Sequence, residues 1–171
     1  MNYFKKQRLD ERAFPDLPSR SKLIPVAFWM LVIVIVFFIQ TNIRLFGAAL
    51  NLAVLIPFFI GVRKSPEKGL LAGIGIGLIQ DSLSHAIIGP HILSKGMVGL
   101  ISPLMSGKFF IWTPLFGIAS LFAMTFLDGM VVYASMSIFQ SVSSSFSQVL
   151  LDILIQSLIN APVGYFIRPR E

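Results

Sequence analysis

The chain has 171 residues, of which 55% are hydrophobic and only 13% charged, and its formal net charge is +6. A soluble domain carries roughly 25% charged residues, so the shortfall points to a polytopic membrane protein with room for one membrane domain. The basic residues sit between hydrophobic runs rather than in one patch, so they read as topology signals and not as a nucleic-acid footprint; without cysteine, disulfides, thiol catalysis and cysteine–metal sites are excluded.

Residues 1–22 form a polar leader carrying Lys5, Lys6, Arg8, Arg12, Arg20 and Lys22, with Pro15 and Pro18 opposing one continuous helix. The leader is long for a signal peptide. The apolar run behind it exceeds the usual signal core of roughly 7–15 residues. A retained first span is therefore expected at 23–39. A second span is expected at 45–62, with Asn51 and Pro57 inside it, followed by a basic loop at Arg63, Lys64 and Lys68. The third span, 69–85, leads through a Gly89-Pro90 turn into a short fourth span at 92–105, which Lys108 closes. The fifth span runs over 110–134, a serine-rich uncharged loop over 135–148, and the sixth span over 149–167, before Arg168 and Arg170 in the 168–171 tail.

Spanning takes roughly 17–25 apolar residues, so the third and fourth spans are expected to form a short hairpin, tilted or partly re-entrant. With both termini in the cytoplasm, twelve of the fourteen basic residues fall inside and only Arg44 and Lys95 outside. The expected architecture is thus an all-α, multi-pass integral membrane protein, six transmembrane helices in one bundle (23–167).

Polar residues interrupt this apolar sequence in a pattern. Gly69, Gly73 and Gly77 step by four and are continued by Asp81 and His85, which places them on one helix face. Small residues on such a face let helices approach closely. In the sixth span Asp152, Gln156 and Asn160 form a second step-of-four stripe, with Gly164 next. On the expected topology Asn51, Asp81, Lys95, Asp128 and Asp152 all fall in the outer half of the bilayer. An acidic group at mid-bilayer costs roughly 2.5–3.5 kcal/mol on insertion scales, so these side chains are expected to pair with each other, face a wet cavity or contact another membrane protein.

Asp81, His85 and His91 make a poor metal triad, because Gly89-Pro90 separates the histidines and no other ligand follows at a usual spacing. No phosphate loop and no nucleophile–base set is present, so neither cofactor nor catalytic residue is expected. No repeated pair of broken helices supports an ion-coupled transporter.

The run Gly77-Leu78-Ile79-Gln80-Asp81, then Leu83 and Gly89, resembles the signature of the rod shape-determining MreD family: a helix ending in G-L-x-x-D, a short connection, and a glycine opening the next helix. Leu93 and Gly99 fit the continuation, while His85-Ala86 stands where the family often has a small residue. The specific part covers roughly residues 69–100. The resemblance implies a non-enzymatic inner-membrane subunit of the bacterial cell-wall elongation machinery, regulating cell shape by scaffolding MreC and peptidoglycan synthases. The implied partners are an MreC-like bitopic protein, a RodA-type glycosyltransferase, penicillin-binding protein 2 and, indirectly, the MreB filament. The family is thought to share its six-helix architecture with the substrate-binding subunits of energy-coupling-factor vitamin transporters. That kinship makes a small-molecule pocket lined by Asp81, Lys95, Asp128, Asp152 and Asn160 the alternative reading.

Overall fold

A computed structural model describes Leu31, Val34, Ile35, Phe37, Phe38, Gln40, Arg44, Leu45, Ala48, Ala49 and residues 51–84, 87–105, 111–139 and 145–169. The basic leader, most of the first expected span, His85, Lys108 and Arg170 lie outside the described residues. The chain divides into two compact units, Met1–Ile35 and Val36–Glu171. In the first, Leu31, Val34 and Ile35 are helical; in the second, so are Phe37, Phe38 and Gln40.

The second unit is all-α apart from a minimal antiparallel ladder, β1 (Arg44–Leu45) with β2 (Ala48–Ala49), in the register Arg44 to Ala49 and Leu45 to Ala48. A 3-10 turn, Leu52–Val54, leads into α1 (Leu55–Arg63). Then come α2 (Pro66–Ser84) and α3 (Pro90–Ile101), which tightens into a 3-10 turn at Ser102–Met105. After these stand α4 (Pro114–Phe139) and α5 (Phe146–Asn160), the latter running on as 3-10 helix over Ala161–Phe166.

Three sequence expectations need correction. The second span is not one helix over 45–62: its first part is the β1–β2 ladder, and α1 has only nine residues. Where the chain enters the 3-10 turn, the Asn51 carbonyl accepts from Asn160 Nδ2 at 2.9 Å, and Gln40 Oε1 takes the Ala53 N–H at 3.1 Å. The fifth span sits later than 110–134, because Thr113-Pro114 sets the start of α4 and its serines do not end it. Ser137 Oγ returns its hydrogen to Tyr133 O at 2.8 Å within the helix. The serine-rich loop is correspondingly shorter, since α4 continues to Phe139 and α5 begins at Phe146. In the sixth span, the α-helix stops at Asn160, ahead of Pro162, which has no N–H to continue the ladder.

Helix starts follow one grammar. Ser65-Pro66 opens α2, with Ser65 Oγ accepting the Lys68 N–H at 3.4 Å. Thr113-Pro114 opens α4, with Thr113 Oγ1 accepting from Phe116 N at 3.1 Å. In both, a hydroxyl satisfies an orphan donor and proline fills the first helical position, where its missing N–H costs nothing. Gly89-Pro90 opens α3, and here the cap residue has no side chain to offer.

An apolar cluster of Val54, Phe58, Val62, Val98, Leu121, Met124 and Ile167 joins α1, α3, α4 and the C-terminal segment. At one end, Arg63 Nε donates to Arg168 O at 2.9 Å, and the Arg63 guanidinium lies 4.6 Å from the centroid of the Phe59 ring. The same end holds Lys64 and Lys68. A Cβ on Gly61 would meet Ser102 and Gly99, so the end of α1, the start of α2 and the end of α3 meet there. A Cβ on Gly117 would collide with Gly164 O, and one on Gly164 with Gly117 O, which draws the start of α4 onto the C-terminal 3-10 turn.

Two stretches among the described residues, Pro114–Phe139 and Phe146–Phe166, are long and apolar enough to cross a membrane; about a third of each is buried within the protein, 33% and 28%. Their remaining surface carries large apolar side chains, with Phe166 78%, Ile138 76% and Leu115 75% exposed. The α2 helix has 19 residues but includes Glu67, Lys68, Gln80 and Asp81, and α3 has only 12.

Candidate functional site: a buried polar network on a glycine-paired hairpin

The hairpin of α2 and α3 is built on bare backbone. A Cβ on Gly69 would strike Gly99 O, one on Gly73 would strike Lys95 O, and one on Gly77 would strike His91 O. The three contacts run antiparallel in steps of four, so the glycine face foreseen from sequence packs on α3 along its whole length. Gly69, Gly73, Ile76, Gly77 and Asp81 form the buried face of α2; Gly75 lies on its open side.

At the far end of this seam Asp81, 1% exposed, replaces the cap that Gly89 cannot supply. Its carboxylate accepts from Gly89 N at 2.8 Å, His91 N at 3.1 Å and Ile92 N at 3.2 Å. With Pro90 lacking a donor, all the backbone donors from residues 89 to 92 therefore converge on one side chain of the preceding helix. The negative charge also meets the positive end of the α3 dipole. Gly89 has φ +140°, a conformation that L side chains rarely adopt, which is what turns the chain back toward Asp81.

One and a half turns further along α3, Lys95 is fully buried and faces Asp128 of α4, also fully buried. The Lys95 Nζ stands 3.4 Å from Asp128 Oδ2, 3.5 Å from Oδ1 and 3.5 Å from His91 Nδ1. Asn51 Nδ2 donates to Asp128 Oδ2 at 2.6 Å. Asn160 Nδ2 donates to Asn51 O and, at 3.5 Å, to Thr125 Oγ1, which passes its own hydrogen to Leu121 O at 2.9 Å. The network thus ties α3, α4, α5 and the segment before α1. The side-chain carbonyls of Asn51 and Asn160 are buried and make no hydrogen bond, as do Gln80 Oε1 and Ser120 Oγ.

Of the polar residues expected to cluster, Asn51, Lys95, Asp128 and Asn160 do so. Asp81 is buried nearby but serves α3, not Lys95. Asp152 does not belong: it is exposed, and Gln156 is only half-buried. A strict step of four drifts about 40° per step on a helix of 3.6 residues per turn. The buried face of α5 is instead Ile153, Ser157 and Asn160, continued by Gly164, on the true helical period. Sequence reasoning missed His91 as a member, although it precedes Lys95 by four and so shares its face. It also missed Gly61, Ser102 and Thr125. Thr125 stands three before Asp128, a spacing that could have flagged it.

Among the described residues no three His, Asp or Glu side chains converge as metal ligands. His91 gives its backbone N–H to Asp81 and turns its ring toward the Lys95 ammonium, which disfavours a metal cation at that nitrogen. The hydroxyls of Ser82, Ser84 and Ser94 donate to carbonyls of nearby helical backbone. Searches of known protein families, curated proteins and solved structures return no match for this chain.

Proposed function

We propose that the protein is a non-enzymatic, multi-pass inner-membrane subunit of the MreD type, which organises partners of the cell-wall elongation machinery within the bilayer. The observation that carries the reading is that the glycines and the aspartate of the resemblance have structural tasks in one unit. Gly69, Gly73, Gly77 and Gly99 line the α2–α3 seam, and Asp81 and Gly89 close it. A motif whose glycines and aspartate build a closely packed hairpin suits a scaffold. Its outward face, with Leu71 and Leu78 exposed beside Gly75, is left for lipid or for a partner helix.

The membrane part of the reading draws on α4 and on the stretch from Phe146 to Phe166, apolar and mostly outward. Exposed apolar surface on that scale calls for an apolar surrounding. The gathering of Arg63, Lys64, Lys68 and Arg168 at one end agrees with a cytoplasmic face there and with six spans. Extraction of native membranes in mild detergent and affinity capture of the protein tests the reading. MreC-like and RodA-type partners are expected in the eluate, and capture of a transport ATPase instead would sink it.

A second reading, a small-molecule-binding transporter subunit, is favoured by one observation: the buried side-chain carbonyls of Asn51 and Asn160 have no donor. On that reading loss of the protein yields a vitamin requirement with normal cell shape.

A further inference from the structure

At the basic end, a cavity of about 550 Å³ opens between Trp112, Pro114, Tyr165, Arg168 and Pro169. It lies between the start of α4 and the segment after Gly164, which the Gly117–Gly164 contact holds together. Its size falls within the range of roughly 300–1,000 Å³ typical of ligand pockets. Three features define what it accepts. The first is charge: Arg168 is exposed and pairs with no carboxylate among the described residues, and Arg63, bonded to the Arg168 carbonyl, stands behind it. A guanidinium offers a fork of donors that matches phosphate oxygens. The second is the lining: Trp112 and Tyr165 have an apolar ring body with a polar tip, the side chains that favour the headgroup level of a bilayer. The third is the apolar residues adjoining the lining in sequence: Ile111, Leu115 and Phe166 are 89%, 75% and 78% exposed. Cationic head and apolar flank in one place fit an amphiphile, not a free phosphate ester.

We propose that this cavity binds the phosphodiester headgroup of an anionic phospholipid, with the acyl chains lying against Ile111, Leu115 and Phe166. Basic pockets between helices on the cytoplasmic side of a membrane take such headgroups. The proposal rests on the membrane reading but on none of the cell-wall assignment. Bound this way, the lipid bridges the start of α4 and the C-terminal segment.

The test is lipid retention by the full chain in nanodiscs of phosphatidylglycerol and phosphatidylcholine, read by native mass spectrometry, for the wild type, Arg168→Gln and Lys64→Gln. Wild type is expected to retain phosphatidylglycerol selectively, Arg168→Gln to lose about fivefold of that preference, and Lys64→Gln, which removes the same charge from the same end outside the cavity, to keep it. Equal losses in both variants would show diffuse surface charge and overturn the site. So would displacement of the lipid by glycerol phosphate alone, which would mark a site for soluble phosphate esters. Incorporation into nanodiscs without any preference overturns this inference and leaves the membrane reading intact; failure to incorporate at all overturns both.

Discussion

Asp81 shows how one side chain can carry a segment. Its two oxygens receive three backbone donors at the start of α3, and no other capping side chain is there to replace them. Asp81→Ala is expected to cost about 2–4 kcal/mol, the sum of a lost cap and buried donors left unpaired, and thermal unfolding in detergent measures it. Asp81→Asn keeps one acceptor oxygen and should fall between alanine and wild type. The Lys95–Asp128 pair behaves differently because each charge needs the other. Lys95→Met alone or Asp128→Leu alone leaves a buried charge and is expected to cost about 3–5 kcal/mol, whereas the double variant should recover most of the loss. Two single losses that simply add in the double would contradict a coupled pair. Asp81, Lys95 and Asp128 were legible in the sequence, because charges in apolar runs stand out. The choice of partner was not: three carboxylates and one lysine are compatible with several pairings, and only the Gly89 turn assigns Asp81 to backbone.

At the scale of the element, the glycine seam divides two neighbouring glycines of one helix. Gly73 and Gly75 lie two apart in the same helix, yet a Cβ on Gly73 runs into the Lys95 backbone while one on Gly75 meets nothing within 4 Å. Gly73→Ala is expected to separate α2 from α3 and lower stability and abundance sharply. Gly75→Ala should be neutral or stabilising by up to about 1 kcal/mol through helix propensity. Expression level and thermal midpoint of the two variants check the contrast. The step of four made the seam on α2 readable, since glycine at i, i+4 and i+8 leaves a visible gap. The same step misled in the sixth span. There Asp152 drifted out of register by Asn160, and small residues on the true period, Ser157 and Gly164, carried the packing. The β1–β2 ladder was not readable at all: it is four residues inside an apolar run, and the Asn51 carbonyl just after it is met by Asn160, 109 residues away in sequence.

At the largest scale, within the second unit, described basic residues gather at one end of the helices. Arg63, Lys64, Lys68 and Arg168 collect at the end where α1 stops and α2 begins, and the turn through Gly89 lies at the other end of the α2–α3 hairpin. Cysteine labelling at positions 64 and 87, introduced singly, is therefore expected to mark opposite faces of the membrane, with Lys64→Cys reactive only after permeabilisation. The proposed role in wall elongation makes a further demand on the whole cell. Depletion of the protein in its native host, followed by microscopy over several generations, is the most direct measurement. Rounding and widening of the cells, reversed by wild-type protein but not by Gly73→Ala, is the expected result. Cells that keep normal width and shape after the protein is gone would contradict the account.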